Sequence, residues 1–387
     1  MLHRKSYAEI HLKNLEHNIQ LIKKISGRPR FCCPMVKANA YGHGDIEVAH
    51  CLIGQGVSHL GVGLVEEAIR LRKNRITEPI LVFGMFDEAS CDAILEHDIT
   101  PVISDFAELE YLKQKLSQLP GRRQKIHLKF NTGMNRLGLE VAQAPRLRQF
   151  LDDHKNFELE GICTHFFHGE DAGLEAANSH QQLEKLFTAC KKFDAYDYEM
   201  HALGSSAIAN LHFRVEQNKP LMPENIFKLG IRPGIAIYGG FVANLENRRL
   251  DLRPVMNLKS QIVRLHELRA GEITSYGGKW KATRDSLIAV VPLGYADGYF
   301  RNLSGRGEVL CHGQIVPVVG TVCMDYFMID LTGIKHDGSV KVGDEIVLFG
   351  RQQNNQILAS DLAEKIGTIS YEVLTRVGER VPRIYVR

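Results

Sequence analysis

The first two thirds of the chain alternate between short apolar runs and amphipathic segments, and few folds accept that rhythm. The β-like runs are "FCCPMV", "HLGVGL", "PILVFGM", "ITPVIS", "KIHLKF", "LEGICTHF", "YEMHALG" and "KLGIRPG". Between them lie helix-like segments such as "NLEHNIQLIKKI", "VEEAIRLRKN", "DFAELEYLKQKLSQL" and "NSHQQLEKLFTACKKF". In the third of these, Phe106, Leu109, Leu112 and Leu116 fall on one helical face. Strands alternating with helices give βαβ units and a parallel sheet. Eight such units imply a (β/α)8 barrel of the TIM type, with an open doubly wound sheet as the alternative.

After "IYGGFVANLENRRLDLRP" the character changes to short strands and glycine-rich turns, with "SDLAEKIG" the clear helix. The expected division is therefore a barrel over residues 1–242 and a predominantly β domain over 243–387. A chain of 387 residues is longer than one core usually carries, which agrees with two domains.

A net charge of +3 is too small to point to nucleic acid or an anionic membrane as the main partner. No run reaches the ~18 apolar residues of a membrane span. The N-terminus carries no apolar stretch of signal-peptide length. Eight scattered cysteines with no CxxC do not form a disulfide framework, so a reducing cytoplasm is the expected compartment.

The barrel reading makes a test, because chemistry in that fold sits at the C-terminal ends of the strands. Lys37 and Tyr41 follow the first strand, in "MVKANAYGHG". Lys129 and Arg136 lie at and after the fifth, His165 ends the sixth, Ser205 follows the seventh, and Arg232 and Gly234 fall at the eighth. Special residues thus gather at one rim. Each alone has a plainer reading: a lone loop lysine is ordinarily solvated, and the glycines of "AYGHG" serve positive-φ turns. "HFFH" at 165–168 lacks a second ligand group at a familiar metal spacing. "GVGLVE" puts Glu66 where a dinucleotide fingerprint needs glycine, and "GGKW" puts Trp280 where a phosphate loop needs Ser or Thr. What remains is a lysine beside a phosphate grip. A buried lysine of lowered pKa forms a Schiff base with a carbonyl, and pyridoxal phosphate offers both groups, with a ring for Tyr41 to stack near.

"MVKANAYGHG" resembles the cofactor-lysine motif of the alanine racemases. The similarity continues, in the family's order, through "NTGMNRLG", "CTHF", "SSAIAN", "GIRPGIAIYG", "SYGGKW", "VPLGYADGY", "GTVCMD" and "TISYEVLTRVGERVPRIY". The resemblance implies interconversion of L- and D-alanine through an external aldimine with pyridoxal phosphate. It also implies a homodimer with composite sites, and no metal. By it, Lys37 would be the Schiff-base lysine and one base, and Tyr276 of the second subunit the other. Arg136 would bind the cofactor's phenolic oxygen and the substrate carboxylate, and the backbone N–H of Met324 the same carboxylate. Arg232 would face the pyridine nitrogen, and His165 would orient Tyr276 and Arg232. Tyr41, Ser205, Gly234, Ile235 and Tyr371 would hold the phosphate. Tyr295 and Tyr371 would narrow the access, and Lys129 matches a lysine that is often carbamylated. Such an enzyme would supply D-alanine for peptidoglycan or break it down.

Several positions depart from the family pattern. Asn131 stands for the usual Asp, Gly204 for Asn before the phosphate serine, and Thr321 for Arg. Ser206 competes with Ser205, and Phe167 and His168 are bulky at a loop expected to face the partner. These leave a racemase of broader specificity as the alternative. A decarboxylase of the same fold is disfavoured by Arg232, and a non-catalytic cofactor-binding barrel by the β domain with Tyr276.

Overall fold

The apolar runs become a closed ring of parallel strands. In the computed structural model, which describes residues 4–167, 177–216, 229–240, 250–334 and 340–387, the parallel sheet follows sequence order. Its strands are Leu60–Val62, Ile80–Val82, Thr100–Ile103, Gln124–Asn131, Phe157–Cys163, Glu199–Leu203 and Gly230–Ile231. The first expected strand, "FCCPMV", is present as two parallel bridges, Cys32 to Ile231 and Met35 to Gly61. Those bridges join the last strand to Leu60–Val62 and close the barrel, which excludes the open sheet.

Strand residues such as Leu60, Ile80, Leu81 and Val102 are fully buried, as expected for a parallel sheet covered on both faces. The helix Phe106–Leu116 buries Leu109, Leu112 and Leu116 against this core, with Phe106 half-buried. It starts where Asp105 accepts from the N–H of Ala107 and Glu108 reaches back to the N–H of Asp105, a capping box.

Beyond the barrel, antiparallel strands form a second sheet. Its path runs Arg264–Leu268, Ser286–Val291, Phe327–Asp330, Gln314–Val319, Glu308–Cys311, Glu345–Gln352, Met256–Gln261, Tyr7–His11 and Arg383–Val386. The expected boundary at 242/243 lies outside the described residues. At the N-terminal side the division is not respected: Tyr7–His11 pairs antiparallel with Met256–Gln261 and parallel with Arg383–Val386, so the first described strand belongs to the second sheet. Ala8 and Ile10 are fully buried there, and five residues carry too little periodicity to announce it. "SDLAEKIG" is helical within Ala359–Ile366, followed by a helix Ser370–Thr375 that the sequence did not single out. All eight cysteines are free. Among the described residues, no helix is long and apolar enough to cross a membrane.

Candidate active site

Lys37 opens a turn wound the wrong way. Ala38, Asn39, Ala40 and Tyr41 all have φ between 51° and 54°, a single left-handed helical turn. For L-residues that hand costs roughly 1–2 kcal/mol per residue, so other contacts must hold the turn in place. Glu67 accepts from the N–H of Ala38 at 2.6 Å and from those of Gly63 and Leu64 at 2.7 and 3.1 Å. Arg383 donates to the Gly42 carbonyl at 2.9 and 2.8 Å. Gly42 has φ +84°, and a Cβ there would stand 2.3 Å from the Leu374 carbonyl oxygen. The C-terminal residues are therefore packed directly on the lysine loop.

The turn presents Lys37 to a cavity of about 420 Å³ at the strands' C-terminal ends. Its walls include Tyr41, Lys129, Arg136, His165, Ser205, Arg232, Gly234 and Tyr371. The structure thus brings together eight of the expected residues around Lys37. Lys37 projects into open space, yet burial by the walls pulls its amine below the ordinary lysine value. The Arg136 guanidinium pulls the same way, and Glu67 opposes.

Arg232 forms the floor. Its guanidinium donates to His201 Nδ1 at 2.6 Å, to the His201 carbonyl at 2.7 Å and to the Thr164 carbonyl at 2.6 Å. His165 Nδ1 lies 3.4 Å from the same group. Burial and then the charges of Arg232, Arg136, Lys129 and Lys37 push His165 down to about 3, so its imidazole is neutral. Lys129 is almost fully buried, and its amine is lowered, chiefly by burial, with Arg232 and Arg136 adding to the effect.

At the opposite wall, Ser205 Oγ accepts from the N–H groups of Gly234 at 3.0 Å and Ala236 at 3.3 Å. A Cβ on Gly234 would stand 2.6 Å from the Tyr41 hydroxyl, so only glycine leaves this space open. Ile235 is fully buried at the start of the short helix Ile235–Tyr238 that follows Gly234. Ser206 lines an adjoining cavity with Met134, Phe166 and Phe167 instead.

Three expected residues are not brought to Lys37 within one chain. Tyr276, Tyr295 and Met324 lie on the outer face of the β region and are 72%, 42% and 52% exposed. Thr321 Oγ1 donates to the Tyr276 carbonyl at 3.0 Å, and Ser275 Oγ to the Thr321 carbonyl at 2.7 Å, so Thr321 helps hold the Tyr276 turn. Asn131 bridges the loop that carries Arg136. It donates to Asn135 and Glu140, and its Oδ1 accepts from the N–H of Asn135. His168 lies outside the described residues. Sequence reasoning missed Glu67 and His201. The first had a readable signal, a glutamate at the third position of the helix Val65–Lys73; the second had none beyond its place in a buried strand.

The barrel rim thus gathers two amines, two guanidiniums and an imidazole around one lysine-centred cavity, an arrangement suited to an anionic ligand. Comparison narrows this. Residues 10–241 match the family "Alanine racemase, N-terminal domain", and residues 255–385 match "Alanine racemase, C-terminal domain". An alanine racemase of Clostridium novyi is 38% identical over 98% of this chain and 95% of its own length. The alanine racemase of Clostridium difficile 630 superposes with a TM-score of 0.88 at 32% identity, covering 100% of this chain and 97% of that one. A Bacillus anthracis alanine racemase solved with bound L-Ala-P gives 0.86 at 29% identity, covering 100% and 96%. The chain belongs to the alanine racemase family, whose members are isomerases.

Proposed function

We propose that this chain interconverts L- and D-alanine with pyridoxal phosphate, as a homodimer whose sites are each completed by the partner. The observation that carries the reading is one cavity in which Lys37 stands with Arg136, the fixed Arg232 guanidinium and the turn at Gly234, a setting whose burial lowers the lysine's amine. The residues fit the cofactor. Ser205, Gly234, Ile235, Tyr41 and Tyr371 would take the phosphate, Arg136 the phenolic oxygen, and Arg232 the ring nitrogen. When bound, the cofactor supplies a carbonyl for amines and an electron sink that acidifies the substrate's α-hydrogen.

The chain's own groups do the rest. Racemisation needs a base on each face of the α-carbon, since one base returns the proton where it took it. Lys37 serves one face, and the exposed Tyr276 of the partner serves the other. Arg136 and the Met324 N–H hold the substrate carboxylate, and Tyr295 and Tyr371 narrow the access to small side chains. Arg232 holds its proton and keeps the ring nitrogen from taking one, which favours return of a proton to the α-carbon over competing outcomes. Lys129, buried between Arg136 and Arg232, is suited to carbamylation, which would turn a third cation into a partner for Arg136. We take the chain as two units divided near residue 243.

The test is incubation with L-alanine and the cofactor in heavy water, following optical rotation and α-deuteration together. Matched loss of rotation and gain of deuterium supports the reading. Exchange without racemisation, or release of carbon dioxide, overturns it.

A further inference from the structure

A line of buried side chains runs from the cavity floor through the barrel to its other mouth. Arg232 contacts His201 Nδ1 at 2.6 Å, His201 Nε2 lies 2.8 Å from His127 Nδ1, and His127 Nε2 lies 3.4 Å from Glu160 Oε2. His201 and His127 are completely buried. Glu160 sits at the far mouth, in a cavity of about 420 Å³ shared with Arg30, His59, Glu158 and Glu199.

The array is built, not incidental. Phe31 stacks on His201 with centroids 4.3 Å apart and planes 9° from parallel, and packs on His59 at 4.6 Å. Gly161 gives His127 its room, since a Cβ there would stand 2.1 Å from Nδ1. At Gly230 a Cβ would meet Phe31 at 2.6 Å and His201 at 2.9 Å.

Arginine has only donors, and this fixes every proton in the line. His201 Nδ1 must accept, so a neutral His201 carries its proton on Nε2. That proton points at His127 Nδ1, which must accept in turn. His127 then carries its proton on Nε2 and donates it to the Glu160 carboxylate. We propose that Arg232, His201, His127 and Glu160 form one single-direction hydrogen-bond chain, in which His127 and Glu160 are positioning residues for the guanidinium at the cavity floor.

The chain answers a physical problem. Among the described residues Arg232 makes no ion pair, although burial disfavours its charge. Two polarised imidazoles ending in a carboxylate supply the missing compensation at a distance. Burial pushes the Glu160 carboxyl up, but contacts from His127, His59 and Lys125 outweigh it and hold it well below the usual range. Lys125 reaches the other oxygen of Glu160 at 2.9 Å, and His59 Nε2 lies 3.6 Å from Oε2. The donor atoms of His59, His127 and Glu160 stand within 4.8 Å of one another, which suits a metal. The proton order tells against one: a metal on His127 Nε2 would reverse both rings and set His201 Nδ1–H against Arg232.

The proposal rests on the cofactor reading only for what Arg232 faces, and its first test needs no cofactor. In histidine-labelled protein, ¹⁵N NMR should find His127 and His201 both protonated on Nε2 and bare on Nδ1, assigned with His127→Gln. A proton on Nδ1 of either ring, or on both nitrogens, overturns the chain. In the loaded enzyme, Glu160→Leu should lower kcat about tenfold and shift the bound cofactor's absorbance, with KM for the substrate within about twofold. Glu160→Gln still offers an oxygen to His127 Nε2–H and should restore most of both. Equal damage from the two variants, or none from Glu160→Leu, overturns the positioning role. Failure of the cofactor reading would show separately, as a wild type without racemisation.

Discussion

Removing Glu67 should loosen the lysine loop by an amount the contacts allow us to work out. Its two carboxylate oxygens accept three backbone N–H groups, from Ala38, Gly63 and Leu64. Hydrogen bonds to a charged group contribute about 1.5–3 kcal/mol each when nothing replaces them. Ala38 and Leu64 are exposed, so water takes over most of their loss, while Gly63 is half-buried and does not recover fully. The net release is about 2 kcal/mol. That is enough to matter, because the turn it restrains carries roughly 1–2 kcal/mol of left-handed strain at each of its residues. Two kcal/mol corresponds to about a thirtyfold change in an equilibrium. Glu67→Ala should therefore weaken pyridoxal phosphate binding about thirtyfold in an absorbance titration. Glu67→Gln should be milder, since its carbonyl oxygen can still accept from Gly63 and Leu64 and its amide nitrogen need face only the exposed Ala38 N–H. The Lys37 amine should also lose its proton at lower pH, because Glu67 raises it. Unchanged cofactor affinity in Glu67→Ala would refute the view that this carboxylate holds the turn.

Lys37→Ala should abolish borohydride trapping of the cofactor, and a surviving reducible adduct would remove Lys37 from its role. Activity should fall when bicarbonate is stripped and return when it is added, if Lys129 is carbamylated; full activity with an unmodified amine in electron density contradicts this. Asn131→Asp sets a second carboxylate beside Glu140 and loses two donations, so the urea midpoint should report a loss of about 1 kcal/mol. His165 is held at about 3 against an ordinary 6.5, so its contribution is present above pH 6.5 and is lost as pH falls from there towards 3. His165→Gln should accordingly lose less stability than wild type on acidification from about pH 7 to about pH 5, read by urea midpoints; parallel losses would contradict the assignment.

The barrel was legible because short, largely apolar runs alternate with helix-like segments and the rim residues lie at or just after those runs. The helices Leu12–Ile25, Val65–Lys73 and Phe106–Leu116 were legible from their periodicity. The strand Tyr7–His11 was not, since its partners lie at the far end of the chain and local pattern carries no trace of them. The left-handed turn was invisible for a related reason: Ala38, Ala40 and Tyr41 have no intrinsic preference for positive φ, and the turn exists because Glu67 and Arg383 hold it. Lys37, Arg136 and Arg232 stood out as charges in glycine-rich loops. His201 and His127 read as ordinary strand residues, and only the distances between them give them a role.

The composite site is the central claim, and subunit mixing tests it most directly. Lys37 faces the cavity, while Tyr276 stands exposed on the β region of the same chain. Lys37→Ala and Tyr276→Phe homodimers each lack one base at both sites and should be inactive. Exchange between them makes about half the dimers mixed, each with one site that keeps Lys37 from one chain and Tyr276 from the other. Activity should then recover to about one quarter of wild type. A mixture that stays inactive, with native gels showing that subunits exchanged, would mean that both bases come from one chain and would contradict the account.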